Sequence, residues 1–277
     1  MGYHAPTDLN EALDRLAAGG VRIVAGGTDH FAARQPGPEP VPLLDVTRVA
    51  ALRGITRQDD GWRIGAATSW TDIARADLPP AFDGLRAAAR EVGGIQIQNA
   101  GTVAGNLCNA SPAADGVPPL LTLAAEIELR SVRGTRRLPL SEFITGPRRT
   151  ALAADEMVTA IHVPAPPEGA RGAFHKLGAR RYLVISITMS AALIGLDAAG
   201  RITVARVAVG ACSAVAQRLT ALESDLIGRR PGEVALAPAH LEPLAPIDDM
   251  RAGAAYRSAA AAEQVARVIR TAGEAHG

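Results

Sequence analysis

Lysine is almost missing from this chain: of 29 basic residues, Lys176 is the single lysine and the other 28 are arginine. Cysteine is nearly as scarce, with only Cys108 and Cys212 and no C-x-x-C. Two thiolates cannot supply the four cysteine ligands of an iron–sulfur cluster, nor a structural zinc site without help from histidine. The six histidines are scattered, with neither H-x-x-H nor H-E-x-x-H, so no metal motif is present and any cluster must lie on another chain. Neither sign of charge dominates. Lys plus Arg number 29 against 28 Asp plus Glu, and a net charge of +1 creates no long-range field that would gather nucleic acid or an anionic membrane. The most apolar window, Leu183–Leu196, is too short to cross a bilayer and carries two serines and a threonine. The first residues, "MGYHAPTDLNEALDRL", lack the basic and apolar regions of a secretory signal. The expectation is a soluble protein of the cytoplasm. Absent too are a G-x-G-x-x-G turn with its downstream acid and a P-loop G-K-[ST], which excludes the commonest dinucleotide and nucleotide cradles.

What remains is a globular composition: 277 residues, 48% hydrophobic and 21% charged, enough for two or three packed units. "TDLNEALDRLAAGG" predicts an amphipathic helix capped by Thr7 or Asp8 and stopped by two glycines. "VRIVA" and "VPLLDVTRV" predict strands, and "GITRQDDGWRIGAATSWTDI" a hairpin turning at Asp59-Asp60-Gly61 before a capped helix. "LRAAAREVGG" predicts a helix ending at Gly93-Gly94, followed by a loop-rich stretch and a second hairpin in "EIELRSVRGTRRLPL". The Pro/Gly-dense "VPAPPEGARG", 163–172, is the best boundary, giving a first domain over 1–166, with lobes of about 1–55 and 56–166, and a second over 167–277. In the second, "ISITMSAALIGLDAAGRITVARVAVGAC" predicts a hairpin or meander, and "AVAQRLTALESDLIG" and "RAGAAYRSAAAAEQVARVIRTAG" predict helices.

Two glycine-bearing stretches carry the chemistry. In "IVAGGTDHF", Gly26 and Gly27 follow a strand and let backbone N–H groups approach a ligand with no Cβ in the way; successive N–H groups of this kind bind an oxyanion. Thr28 adds a hydroxyl. The plainer alternative is a tight strand-to-helix turn. In "IQNAGTVAGNLCNASPAADGVPP", 97–119, small and polar residues run on too long for an idle connection, and the two stretches can clamp a pyrophosphate between them. Asp115 either caps the helix that follows or accepts hydrogen bonds from sugar-type hydroxyls. Lys176 is either a surface remnant of compositional drift or a functional charge whose protonation burial can tune.

The segments "VAGGTDHF", "GWRIGAATSWTDI", "GGIQIQNAGTVAGNLCNASPAADGVPPLLTLAAEIEL" and "FHKLGARR" occur in the order and approximate spacing of the flavin subunit of the molybdenum hydroxylases. The chain resembles that medium-subunit family, the xanthine dehydrogenase and carbon monoxide dehydrogenase type, over nearly its whole length. The resemblance implies an α+β fold: a two-lobed FAD-binding domain of the vanillyl-alcohol oxidase type, then an antiparallel sheet with helices like the family's flavoprotein C-terminal domain. It implies FAD, its pyrophosphate wrapped by Ile23, Val24, Ala25, Gly26, Gly27, Thr28, Asp29 and His30 and by Gly101, Thr102, Ala104, Gly105 and Asn106. By the same resemblance Asp115 contacts the ribityl chain, Val158 packs near the ring unless it is simply core, and Lys176 lies close to the flavin.

This sequence departs from the family pattern in two places. Ala104 replaces the first glycine of T-[IL]-G-G-N, and Val92 stands where some members place a phenylalanine against the flavin. His30 occupies a position more often hydrophobic and reads as a turn residue meeting solvent. The implied function is electron transfer within a heterotrimer. A large molybdopterin subunit oxidises the substrate, a small subunit with two-iron two-sulfur clusters relays electrons, and the FAD passes them to NAD+, oxygen or another acceptor. The alternative is a stand-alone FAD-dependent reductase or oxidase of related fold, such as the enolpyruvyl-sugar reductase of cell-wall synthesis.

Overall fold

The computed structural model describes residues 2–33, 37, 39–181, 183–233 and 235–274. At the amino end, β1 (Tyr3–His4), β2 (Arg22–Val24) and β3 (Leu43–Asp45) form a small parallel sheet in the order β1-β3-β2. Helix α1 (Leu9–Ala17) buries Ala12, Leu13 and Leu16. Of the two possible caps it uses Asp8, whose carboxylate accepts from the amides of Asn10 and Glu11, and it ends where Gly19 and Gly20 take positive φ.

A five-stranded antiparallel sheet follows in the order β4-β5-β10-β6-β7. It consists of the predicted hairpin β4 (Ile55–Gln58) and β5 (Gly61–Gly65), the second hairpin β6 (Glu126–Ser131) and β7 (Gly134–Pro139), and a central β10 (Met157–Pro164) paired to both. From Met157 to Val163, β10 is buried throughout. Its two polar side chains are satisfied by one acid: Thr159 Oγ1 donates to Glu128 Oε1 at 2.6 Å and His162 Nε2 sits 2.9 Å from Glu128 Oε2.

Between the hairpins run α2 (Trp70–Arg75), closed by a Ser69/Asp72 capping box, and α3 (Asp83–Glu91). Then come α4 (Ile95–Ala100), α5 (Val103–Asn109) and α6 (Val117–Thr122). The stretch before Asp115, expected to be loop, instead holds two short helices, α4 and α5, and the helix expected after Asp115 is α6. At six or seven residues each they are too short to show an apolar period, and α4 buries none of its residues. Before β10 come α7 (Leu140–Phe143) and the small ribbon of β8 (Ile144–Gly146) and β9 (Arg149–Thr150).

The last sheet is antiparallel, β11 (Arg171–Leu177), β12 (Thr188–Leu196), β13 (Ile202–Gly210) and β14 (Gln217–Arg218) in sequential order. The helix expected over 214–228 is corrected. Its first part is the edge strand β14, and only α8 (Thr220–Leu226) is helical. The Arg218 guanidinium makes two hydrogen bonds to Glu223 at 2.6 Å, and Glu223 also accepts from the Val207 amide, so strand pairing takes the segment's amino half. Helix α9 (Ala254–Glu274) places Ala261, Val265, Val268 and Ile269 against the core of this sheet. The sheet's other face meets the elements that precede it: Leu193 and Ala208 share a hydrophobic cluster with Trp70, Phe82 and Leu120, and β11 lies along α3. Among the described residues no helix is long and apolar enough to cross a membrane.

Candidate functional site

The carboxyl end of β2 opens into a cleft of about 1360 Å3 that also receives the turn before α5, the turn before α6, β10 and β11. Its size exceeds the roughly 300–1,000 Å3 of ordinary small-molecule sites and suits an extended ligand. All the residues singled out from sequence line it, from Ile23–His30 through Gly101, Thr102, Ala104, Gly105, Asn106 and Asp115 to Val158 and Lys176. The two glycine-bearing stretches touch. A Cβ on Gly26 would lie 1.7 Å from the carbonyl oxygen of Ala100, so only glycine allows the contact. Gly27 has φ +68°, and a Cβ there would meet the Phe31 ring at 2.5 Å.

The two stretches offer different things. Among the described residues, the amides of Gly26 to His30 meet no protein acceptor, and five N–H groups in succession on one cleft wall suit a diphosphate. The second stretch has spent its amides inward: Val103 on Thr68 O (3.0 Å), Ala104 on Ala66 O (3.2 Å), Gly105 on Thr102 Oγ1 (3.1 Å) and Asn106 on Thr102 O (3.1 Å). Trp70 N also donates to Gly101 O at 3.1 Å. The "GAATSW" turn between β5 and α2 is thus the frame that holds residues 101–104, a role that sequence reading missed. What the second stretch presents is a side chain: Asn106 Oδ1 is buried at the cleft without a hydrogen-bond partner, an acceptor that calls for a donor from a ligand.

Across the cleft stands a buried ion pair. Lys176 Nζ donates to Asp115 Oδ2 at 2.6 Å and to the Glu91 carbonyl at 3.0 Å, and the two side chains are 6% and 9% exposed. The surface alternative for Lys176 is thereby excluded. Asp115 does not cap α6, whose N-cap is Gly116 with no side-chain bond; its other oxygen accepts from Ser186 Oγ at 2.6 Å. Burial pushes the Asp115 carboxyl above its ordinary range, opposed by the Lys176 charge and by hydrogen bonds from Lys176 and Ser186. Ser186 is a second residue that sequence reading missed, because a serine within an apolar run gives no sign of what it faces.

His30 is corrected as well: its ring does not simply meet solvent but packs edge-on against Phe31, with Nε2 3.3 Å from Glu39 Oε2. Val158 and Met157 line the cleft from β10, Val92 from the end of α3 and Trp70 from the start of α2. Cys108 opens onto the cleft, yet protein surrounds it closely enough that desolvation pushes its thiol up to about 12.

The comparisons with known proteins agree with this geometry. Residues 1–166 match the family described as the FAD binding domain in molybdopterin dehydrogenase, and residues 173–272 match the CO dehydrogenase flavoprotein C-terminal domain. The chain is 36% identical over 200 residues to the putative xanthine dehydrogenase FAD-binding subunit of Escherichia coli K12, covering 70% of this chain and 68% of that protein. It is 28% identical to the carbon monoxide dehydrogenase medium chain of Hydrogenophaga pseudoflava, covering 98% and 96%. A chain of quinoline 2-oxidoreductase from Pseudomonas putida 86 superposes with a TM-score of 0.88 at 26% identity, covering 100% and 98%.

Proposed function

Because the chain belongs to the FAD-binding subunits of the molybdopterin dehydrogenases, we propose that it is the electron-transfer subunit of a molybdenum hydroxylase. In this reading it receives electrons from iron–sulfur clusters on a small partner chain, downstream of a large molybdopterin subunit. It delivers them to NAD+, oxygen or another acceptor. The observation that carries the reading is the cleft itself, lined both by Gly26 to His30, whose amides meet no protein acceptor among the described residues, and by the buried Asp115–Lys176 pair.

FAD, when bound, supplies the chemistry of exchanging electrons one or two at a time. The chain supplies position and electrostatics. The amides of Gly26–His30 hold the pyrophosphate, while the 101–106 turn, braced by Thr68 and Ala66, backs them and offers Asn106 Oδ1. Asp115 accepts hydrogen bonds from the ribityl hydroxyls. Lys176 opposes the rise that burial imposes on that acid and would lie close to the bound flavin. Val158 and Val92 exclude water from the ring's faces. The cofactor part spans 1–166 and the C-terminal part 167–277 in this reading, supported by the passage from β10 in one sheet to β11 in another. A cytoplasmic location fits the proposed partners.

The test is to purify the chain with whatever accompanies it and to record its absorption before and after denaturation. Flavin bands, FAD released on denaturation, and a large and a small companion are expected. A colourless preparation that yields no flavin overturns the reading. Flavin bound without companions, together with turnover of a substrate by the chain alone, would instead favour a self-sufficient flavoenzyme.

A further inference from the structure

Asp115 reaches a third element through a residue buried behind the cleft. Ser186, 2% exposed, lies in the segment between β11 and β12, and its hydroxyl donates to Asp115 Oδ1 at 2.6 Å while Lys176 Nζ donates to Oδ2 at 2.6 Å. A carboxylate with a donor on one oxygen still turns about its Cβ–Cγ bond; donors on both oxygens fix its plane. Of roughly four acceptor positions on an ionised carboxylate, two are taken and the others remain for a ligand.

We propose that Ser186 is a positioning residue for the flavin: its hydroxyl sets the orientation in which Asp115 accepts from the cofactor's hydroxyls, and pins the Leu183–Ile185 wall to the cleft. The proposal rests on reading this cleft as the FAD site. The wall has little packing of its own, since Leu183 and Ile185 are 58% and 52% exposed although both line the cleft. Beyond the Ser186 hydroxyl it is tied by Ile187 N to Leu177 O (2.8 Å), by the Arg257 guanidinium donating to Ile187 O, and by Arg180 Nε to Leu183 O (3.1 Å). The Ser186 contact is the one that joins it to a ligand-facing group.

A pH signature follows. The charged groups acting on Asp115 are Lys176 from β11 and Glu91 at the end of α3; α6 and the 183–187 segment bring none. Burial raises the Asp115 carboxyl, and the Ser186 hydroxyl is among the groups holding it down. Without that donor the carboxylate takes up its proton at a higher pH. Flavin retention, strongest with the ionised acceptor, then weakens earlier on acidification.

The experiment uses the full chain with its co-purifying subunits as wild type, Ser186→Ala and Ser186→Thr. FAD dissociation is followed by flavin fluorescence from about pH 8 to about pH 5. Wild type retains FAD across most of the range. Ser186→Ala weakens it by about tenfold at neutral pH, its acid limb moves upward, and Ser186→Thr, which keeps the hydroxyl, stays near wild type. An alanine variant with wild-type affinity and pH profile overturns the role of Ser186 alone. So does equal impairment of the alanine and threonine variants at every pH, which is a packing defect. A wild-type complex that holds no FAD overturns the reading of the cleft and this inference together.

Discussion

Asp115 answers two opposed demands. As a buried acid it is pushed toward the neutral form, and as an acceptor for ligand hydroxyls it is strongest when charged. Lys176 reconciles them, but the pair is not thereby a source of stability, because removing two ions from water costs about as much as their attraction returns. Breaking it is another matter. Lys176→Ala and Asp115→Ala are each expected to destabilise the fold by about 3–5 kcal/mol, leaving one buried ion alone, whereas Lys176→Met combined with Asp115→Leu should recover most of that loss. None of the three should retain FAD. Urea unfolding read beside bound flavin separates the effects, and a double variant that keeps its flavin would remove the pair from the site. Lys176 was legible in the sequence because a lone lysine among arginines stands out. Its partner Asp115 was legible only as an acid before a Pro-rich helix start, with capping as an equal alternative, and Ser186 not at all, since the contact that defines it spans 71 positions of chain.

Among the elements, the contact of the β2–α1 lobe with the α4–α5 turn is the decisive one. Gly26 sits against a backbone carbonyl, which no rotamer change can move aside, so Gly26→Ala must part the two stretches. The expected cost is about 1–3 kcal/mol of stability and loss of FAD from chain that still folds, measured by thermal melting and by flavin content; unchanged flavin would show that the apposition is dispensable. Strands and long helices were readable in advance because their apolar periods are long: both hairpins, α1, α3 and α9 lie where the pattern predicts. The cleft's second wall was not, because α4 and α5 are too short to show an apolar period and α5 is fixed by backbone bonds to Ala66 and Thr68, which no local pattern announces. The edge strand β14 was hidden for the same reason, its pairing decided by β13 and by Glu223.

For the whole molecule, acid is the informative perturbation. Hydrogen bonds from the Arg136 guanidinium hold Glu156 below its usual range, those from Arg133 do the same for Asp155, and backbone and arginine donors, the Arg251 amide first, take Asp249 to about 2. Depressed carboxyls contribute stability that is present above their unfolded values and lost as pH falls through the folded ones. Asp115, raised, acts in the opposite sense. The melting temperature is therefore expected to hold between about pH 7 and about pH 5 and to drop from about pH 4 toward about pH 2, less steeply in Glu156→Gln. Equal melting at pH values near 6 and 3 would contradict these assignments. FAD loss, governed by Asp115, should precede unfolding on the way down, so that the flavin leaves a chain that is still folded.

The scarcity of lysine has one more consequence at this scale. A reagent that acylates amines finds a single side-chain address in the entire polypeptide, and that address lies at the bottom of the cleft, behind whatever fills it. That side-chain amine is tied to Asp115 and, by protein contacts alone, only 6% exposed, so its acylation reports opening of the ion pair itself.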